Sequence, residues 1–268
     1  MKVSITLPSL FPDLLARALA AIEAAIGGIE YEIVVVSPFE VRHANVVWVR
    51  EEAPSGNIAA QNLAYRQCTG DVIATMTDDI VPQPGWMARA LDHLLAGERR
   101  NALFVTGVSH VPFAGTVFGI YYPFLPLARR STFEAVGGYF APEFHAHYGD
   151  PDLGLRVWAA GGRAEPLLPP LVTPLGAARG SAPEAPAKRS SYRADRARFI
   201  AKWKDTFGRG WPTEQDGSFN ININAGILER VMHEGTIFMN DPKFGAAILA
   251  TYDTLGIRYA KDRAPPDV

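Results

Sequence analysis

Residues 70–79 read GDVIATMTDD, an apolar run that ends in two adjacent carboxylates, Asp78 and Asp79. The apolar part, residues 71–76, predicts a short β-strand. In sheets built from βαβ units, ligands bind outside the carboxyl ends of the strands. The two carboxylates therefore stand where a ligand is expected.

Further strands and helices alternate on both sides of this run. Predicted strands cover residues 3–7, 31–36, 46–49 and 103–108, and predicted helices cover residues 14–26, 57–67 and 85–95. Asp13 is the expected N-cap of the first helix, and Gly27 with Gly28 is its expected end. This alternation predicts an α/β fold with a mostly parallel sheet and flanking helices.

Composition divides the chain into three expected regions. Residues 1–165 form the α/β core, and residues 166–191 are rich in Pro and Ala, which is typical of a mobile loop or lid. Helical spacing and basic residues return in residues 192–268, which predicts a C-terminal helical appendage.

Composition also excludes several classes of protein. The 268 residues hold 26 Lys and Arg against 28 Asp and Glu, a net charge of −2 that argues against a general nucleic-acid binder. The single cysteine, Cys68, allows neither an intrachain disulfide nor a thiolate zinc cluster. Residues 102–128 carry no charged side chain before Arg129, but several Gly and Pro interrupt them, which favours a buried strand and an apolar loop over a membrane span. We expect a soluble cytoplasmic protein without a signal peptide.

The Asp78–Asp79 pair has two interpretations. Two neighbouring carboxylates repel each other, and a divalent cation relieves the repulsion. Oxygen ligands suit Mg²⁺ or Mn²⁺, which complete their coordination with water and substrate phosphates. The alternative is a solvated turn in which one Asp caps a helix.

A second acidic stretch, GDPDLGLR, occupies residues 149–156. Asp150 precedes Pro151, and Pro favours the first helical position, so Asp150 is a natural helix N-cap. The alternative is a general base, a carboxylate held at the mouth of a helix and able to accept the proton of an acceptor hydroxyl.

In their order and spacing these stretches resemble the first half of a family 2 glycosyltransferase with a GT-A fold. The resemblance covers about residues 2–165. It rests on the N-terminal βα units, Gln61–Asn62, residues 70–79 with Pro82, Pro84, Gly85 and Trp86, residues 128–130 and 134–140, and residues 149–153 at the place of the family's Glu-Asp motif.

The resemblance implies a reaction and a set of site residues. It implies an inverting transfer of one sugar from a nucleotide-diphosphate sugar to an acceptor hydroxyl, with Asp150 as the catalytic base. Asp79 would bind Mn²⁺ or Mg²⁺, and Asp78 would contact the nucleotide sugar or a metal-bound water. The further donor-binding positions that it implies are Pro8 and Ser9 under the nucleotide base, Asn62 near the nucleotide, and Ser37 after the second strand.

The chain departs from the family pattern at three positions. Ser37 stands where the family usually has an Asp that contacts the base, so UDP, GDP and dTDP sugars all stay open. Thr77 replaces an Asp of the first motif, and Gly149 replaces the Glu of the Glu-Asp pair. The Gln-x-x-Arg-Trp sequence of processive synthases is absent, which favours transfer of a single sugar.

Other functions remain as alternatives. The substitutions are compatible with a catalytically degenerate nucleotide-sugar-binding module. A nucleotidyltransferase is less favoured, because residues 7–11 contain neither Gly nor Lys. The acceptor is expected to be a saccharide or a lipid-linked molecule. The basic residues between 188 and 209 would hold an anionic diphosphate, contact the inner face of the membrane peripherally, or form an ordinary solvated helix face.

Three weaker patterns each have two interpretations. His145 and His147 alternate along the chain and suit either metal ligation or local hydrogen bonding. Tyr121 and Tyr122 suit either stacking on a sugar or core packing. Trp86 is expected to anchor its helix, although the resemblance places it near the acceptor.

Overall fold

The computed structural model describes residues 1–108, 115–117, 120–167, 169–175, 186–207 and 220–222. The strands are β1 (Val3–Pro8), β2 (Tyr31–Ser37), β3 (Val46–Arg50), β4 (Val72–Thr75), β5 (Ile80–Pro82), β6 (Phe104–Gly107), β7 (Gly115–Val117), β8 (Ile120–Tyr121), β9 (Pro126–Arg129), β10 (Arg163–Pro166), β11 (Val172–Pro174) and β12 (Asn220–Asn222). The helices are α1 (Pro12–Ile26), α2 (Asn57–Tyr65), α3 (Trp86–Leu95), α4 (Arg130–Ala135), α5 (Gly149–Ala159) and α6 (Pro186–Phe207), with a 3-10 helix at Gly97–Arg100.

Seven strands form the central sheet in the order β10-β6-β9-β4-β1-β2-β3. Strands β1 to β4 run parallel to one another, and β10 runs parallel to β6. Only β9 among these seven is antiparallel to its two neighbours, β4 and β6. The predicted α/β fold with a mostly parallel sheet is confirmed, and β9 and β10 are the two strands of this sheet that the sequence did not predict.

Helices cover both faces of the sheet. Along β2 the buried side chains alternate between two clusters, with Ile33 and Val35 in one and Val34 and Val36 in the other. The first cluster contains the apolar faces of α1 and α3, and the second contains those of α2 and α5 together with Phe199 and Trp203 of α6. The apolar run of residues 33–36 in β2 is thus explained by burial on both sides.

Helix α1 begins at Pro12 and not after an Asp13 cap. Its N-cap residue is Phe11, which makes no side-chain capping bond, and Pro12 occupies the first helical position, where its missing N–H costs nothing. Gly27 ends the helix with a φ of 71°, a conformation that glycine adopts without strain. The predicted end is therefore correct, and the predicted cap is wrong.

The region expected as a loop, residues 166–191, contains regular structure at both ends. Strand β11 pairs with β5 in antiparallel orientation, and α6 begins at Pro186 instead of residue 192. Residues 176–185 lie outside the described part of the chain. Helix α6 packs on the core through buried Asp195, Phe199 and Trp203.

The apolar stretch before Arg129 forms strands. It supplies β6 and β9 of the central sheet, together with β7 and β8 of a separate three-stranded sheet. The third strand of that small sheet is β12, which lies in the region expected to be helical. Among the described residues, no helix combines the length and the apolar character needed to cross a membrane.

Candidate active site

The predicted donor-binding residues gather at the carboxyl edge of the sheet. Strands β1, β2, β3 and β4 are parallel and in register, so their carboxyl ends lie side by side. Pro8 and Ser37 are the last residues of β1 and β2, and the Asp78–Asp79 turn joins β4 to β5. This is the edge where α/β sheets bind ligands.

Ser9 and Asp78 are in direct contact at this edge. The Ser9 hydroxyl donates to Asp78 Oδ2 at 2.5 Å and accepts the N–H of Phe11 at 3.1 Å. The Ser9 N–H donates to the carbonyl of Val36 at 2.9 Å, which joins the ends of β1 and β2. The structure therefore brings together two of the residues that the resemblance assigns to the donor.

Asp79 is held from two sides. The Thr77 hydroxyl donates to Asp79 Oδ1 at 2.6 Å, so the residue that replaces a family carboxylate orients its neighbour. The Leu175 N–H donates to the Asp79 carbonyl at 2.8 Å, directly after β11 pairs with β5. The side chain and the backbone carbonyl of Asp79 are thus both held by hydrogen bonds.

The donor atoms at this turn fit a hard divalent cation. Asp78 and Asp79 are half-buried oxygen donors at the sheet edge, and Mg²⁺ or Mn²⁺ is commonly held by one or two protein carboxylates with substrate phosphates. Within the described residues, no group of three or more His, Cys, Asp or Glu side chains is arranged to hold a metal by itself. A cation here would share its coordination with the substrate.

Helix α2 ties the Asp78–Asp79 turn to the rest of the site. The buried Gln61 side chain donates from Nε2 to the Met76 carbonyl at 2.9 Å, two residues before Asp78. The next residue, Asn62, binds both the carbonyl and the N–H of Phe140. Its Nδ2 donates to the Phe140 carbonyl at 3.1 Å, and its Oδ1 accepts the Phe140 N–H at 3.2 Å.

Ser37 is buried, and its hydroxyl is committed to protein groups. It donates to the carbonyl of Phe39 at 2.6 Å and accepts the indole N–H of Trp48 at 3.0 Å. At the position where the family usually has an Asp, this chain therefore has a hydroxyl that closes the turn after β2.

The first turn of α5 carries Asp150. Tyr148, with a φ of 65°, is the N-cap residue, Gly149 is the first helical residue, and no side chain caps the helix. The interpretation of Asp150 as the N-cap is therefore wrong, because Asp150 is the second residue inside the helix. A β carbon at Gly149 would lie 2.4 Å from Ile58 Cδ1 and 3.0 Å from Phe140 Cδ1.

Asp150 is half-buried among protein atoms that remove much of its hydration. This desolvation raises the pKa of the Asp150 carboxyl from 3.8 to about 7. Burial also raises the pKa values of Tyr121, Tyr122 and Tyr139, and the Asp150 charge adds to each shift, so these phenols lie near the carboxylate. A carboxyl group with a pKa near neutrality is suited to general base catalysis.

Two links connect Asp150 with residues near the Asp78–Asp79 turn. Helix α2 contacts Gly149 through Ile58 and holds Met76 through Gln61, one turn further along. Tyr139 provides the second link, since its hydroxyl bonds Thr75 and lies 3.1 Å from Thr6 Oγ1, near the ends of β4 and β1.

Arg156 and Asp152 hold the segment from Val136 to Tyr139, and the sequence patterns indicated no role for either residue. Arg156 donates to the carbonyls of Val136, Gly138 and Tyr139 at 2.7 to 2.8 Å and to Asp152 Oδ2 at 2.8 Å. The spacing of four residues between the two is typical of a helical ion pair and could have revealed it. The segment that ends in Tyr139 is thereby fixed to α5.

The remaining candidates fall into two groups. His145 is exposed, and the His147 ring packs edge-on against Tyr192 at 5.0 Å, so neither belongs to a described metal cluster. Trp86, the first residue of α3, is fully buried in the cluster that contains the apolar faces of α1 and α3, and it anchors its helix as expected. Tyr121 and Cys68 are buried in the core, and burial raises the pKa of the Cys68 thiol to about 12.

One family profile and several solved structures are similar to this chain. The sequence profile of Glycosyl transferase family 2 matches residues 12–116. The resemblance to this family is therefore confirmed over that segment. No curated protein sequence matches the chain.

Solved glycosyltransferases share the fold. GalNAc-T7 with UDP, GalNAc and Mn²⁺ is 14% identical, with a TM-score of 0.55 over 91% of this chain and 57% of that one. The mannosyltransferase PcManGT from Pyrobaculum calidifontis, with GDP-Man and Mn²⁺, is 18% identical, with a TM-score of 0.55 over 92% of this chain and 74% of that one. TarS from S. aureus is 12% identical, with a TM-score of 0.52 over 90% of this chain and 49% of that one.

These similarities have a defined reach. At such low identity the solved structures show the GT-A fold, and this chain spans about half the length of two of the three. The family profile covers residues 12–116, and the shared fold extends the similarity over 90–92% of this chain.

Proposed function

We propose that this chain is a non-processive, inverting glycosyltransferase that moves one sugar from a nucleotide-diphosphate sugar to an acceptor hydroxyl with the help of a divalent cation. The observation that carries the proposal is the junction made by α2, which contacts the first turn of α5 beside Asp150 and holds β4 just before Asp78 and Asp79. We infer that this junction sets the Asp150 carboxylate, whose pKa burial raises to about 7, near the candidate cation site.

In this reaction Asp150 accepts the proton of the acceptor hydroxyl. The hydroxyl oxygen forms a bond to the anomeric carbon from the face opposite the leaving group. The bond from that carbon to the diphosphate oxygen breaks, and the electron pair leaves with the nucleoside diphosphate. A single displacement of this kind inverts the anomeric centre.

Asp79 would hold the cation, and Asp78 would contact the donor or a cation-bound water. Mg²⁺ or Mn²⁺, when bound, supplies positive charge against the negative charge that grows on the diphosphate. Solved relatives of the same fold contain Mn²⁺ with UDP or GDP-Man, which supports this choice of ligands.

Pro8 and Ser9 lie under the place proposed for the nucleotide base, at the end of β1. The donor is a sugar on UDP, GDP or dTDP, and the acceptor is a saccharide or a lipid-linked molecule. We place the activity in the cytoplasm, at or near the inner face of the membrane.

A degenerate binding module is the second candidate, and Gly149 favours it, because the acidic neighbour of the base is missing. Ile58 fills the space into which a side chain at position 149 would project, so the first turn of α5 is nevertheless well packed.

Two substitutions test the proposal against a panel of UDP, GDP and dTDP sugars with Mn²⁺. Asp79→Ala is expected to abolish cation-assisted binding of the donor, measured by thermal shift and calorimetry. Asp150→Asn is expected to leave donor binding intact and to remove transfer and donor hydrolysis, because only the base is lost.

The outcomes separate the candidates. Donor binding without any turnover by the unsubstituted chain would support the degenerate module. Equal loss of donor binding in both variants would contradict the separate roles of Asp79 and Asp150. Glu40→Gln, which changes an exposed carboxylate paired with Arg42, is the control for general charge effects.

A further inference from the structure

Asp195 of α6 binds the backbone of the loop that leads to Asp150. Its side chain is fully buried. Its carboxylate accepts three consecutive backbone N–H groups, from His145 at 3.2 Å, Ala146 at 3.0 Å and His147 at 3.1 Å. Hydrogen bonds to an ionised acceptor are about twice as strong as bonds between neutral groups. One side chain therefore fixes three residues of an otherwise irregular segment.

The same loop is held on its other side by α2. The His145 carbonyl accepts the N–H groups of Ile58 at 2.8 Å and Ala59 at 3.1 Å. Gly56 makes this approach possible, since a β carbon there would lie 2.5 Å from the His145 oxygen. The loop thus lies between α6 and α2, with its N–H groups bound by the first and a carbonyl bound by the second.

The loop ends in a residue with an unfavourable backbone conformation. Tyr148 has a φ of 65°, which is uncommon for a bulky residue and persists only where surrounding contacts hold it. Its ring stacks on Phe199 of α6 at 5.2 Å, and its hydroxyl donates to Tyr192 of α6 at 3.2 Å. Asp150 follows two residues later, so the direction of its side chain depends on this conformation.

Helix α6 also contacts α5 just beyond Asp150. The Trp203 indole donates to Asp152 Oδ1 at 3.0 Å, and Lys202 Nζ lies 2.7 Å from the same oxygen. Asp150 therefore lies between two points at which α6 is attached, the Asp195 contact before it and the Asp152 contact after it.

We propose that Asp195 is a positioning residue for the glycosyl transfer, which sets the direction of the Asp150 carboxylate by holding residues 145–147 in place. This role rests on the proposed function. Asp195 is fully buried, pairs with Arg198 of its own helix at 3.1 Å and binds the loop, so it acts on Asp150 through the loop. Asp195→Asn keeps the shape of the side chain and removes its charge and one acceptor oxygen, which loosens the three N–H bonds.

The test compares Asp195→Asn with Glu165→Gln. Glu165 is a buried carboxylate of β10 that pairs with Arg99 and Arg163 at 2.8 Å each, away from the loop. It serves as the control for loss of a buried ionised group. Both variants are assayed for transfer with nucleotide-sugar donors and Mn²⁺ at a temperature where both remain folded.

Asp195→Asn is expected to lower kcat about 100-fold, because displacement of a catalytic group by about 1 Å has such an effect. The KM for the donor is expected to stay near its wild-type value, since the donor-side residues are untouched. The acidic limb of the pH profile is expected to move to lower pH, because a looser loop admits water to Asp150. Amide hydrogen exchange of residues 145–147 is expected to accelerate. Glu165→Gln is expected to change none of these four quantities.

Two results would overturn the positioning role. The first is an Asp195→Asn variant whose kcat and pH profile match those of Glu165→Gln. The second is an equal rise in KM and fall in kcat, which would place Asp195 in substrate binding. If the unsubstituted chain transfers no sugar from any donor, the proposed function itself is overturned. The assay of the unsubstituted chain shows this before any variant is made.

Discussion

The side chain of Ile58 occupies the space into which a side chain at Gly149 would extend. A β carbon at Gly149 would meet Ile58 Cδ1 at 2.4 Å and Ile58 Cγ1 at 3.1 Å. The first turns of α2 and α5 therefore fit together only because position 149 carries no side chain. The resemblance implies an acidic residue at position 149, and in this chain an apolar residue 91 positions earlier fills that space.

Gly149→Ala is expected to destabilise the protein by about 1–3 kcal/mol, the usual range for overpacking a core. It is also expected to reduce turnover, because α5 must shift together with Asp150. Ile58→Val removes the Cδ1 atom that causes the closest contact. The double variant is therefore expected to recover most of both losses. Urea unfolding and kcat of the four proteins form the double-mutant cycle, and additive effects would show that the two positions do not interact.

The pH dependence of catalysis follows from the environment of Asp150. Burial raises the pKa of this carboxyl to about 7, and the base works only when it is ionised. The rate at limiting substrate is therefore expected to rise across neutral pH and to level off above about pH 8. A profile of kcat/KM against pH measures this directly. An acidic limb near pH 4 would show that the carboxylate is well hydrated in the free enzyme.

The raised pKa of Asp150 also predicts a pH dependence of the free energy of unfolding that is opposite in sign to that of most carboxylates. Between the unfolded value of 3.8 and the folded value of about 7, the folded chain holds a proton that the unfolded chain has lost. The contribution of Asp150 to the free energy of unfolding is thus largest below pH 4 and falls as the pH rises to 7. Asp150→Asn is expected to be more stable than wild type at pH 8 and no more stable at pH 4. Urea midpoints of the two proteins at both pH values provide the measurement.

Asn62 is expected to act through the protein backbone. Its amide binds both the N–H and the carbonyl of Phe140, so Asn62→Asp keeps the acceptor and loses the donor. We expect a loss of about 1–3 kcal/mol in stability, the usual cost of an unpaired buried group, with the dissociation constant of the donor nearly unchanged. Thermal unfolding and donor titration separate the two effects. A large loss of donor affinity at wild-type stability would instead assign Asn62 to the nucleotide, as the family resemblance implies.

Strands β1 to β4 and β6 were predictable because each is a compact apolar run, whereas β10, Arg-Ala-Glu-Pro, has no such pattern. Strand β9 was not predictable either, since Pro-Leu-Ala-Arg has no β-branched residue and owes its conformation to pairing with β4 and β6. The three-residue strands β5 and β11 exist only as a pair and have no local pattern of their own.

One part of the site was predictable for the same reason, and another part was not. Asp78, Asp79 and Ser9 follow predicted strands, so the parallel sheet brings their segments to one edge. Asp195 could not be found, because its spacing of three residues from Arg198 resembles an ordinary helical ion pair and its other partners are backbone N–H groups about 50 residues away. Side-chain patterns carry no information about which backbone donors a carboxylate will meet.

The hydrogen bond from Leu175 to the Asp79 carbonyl sets a boundary for exchanging parts of this chain. Strand β11 and Leu175 brace the acidic turn, so a graft that replaces residues from 172 onward is expected to disturb that brace and, under the proposed function, to change cation affinity without touching a carboxylate. A graft that begins at residue 176 preserves it. Chimeras intended to change acceptor choice alone should therefore use Leu175 as the splice point.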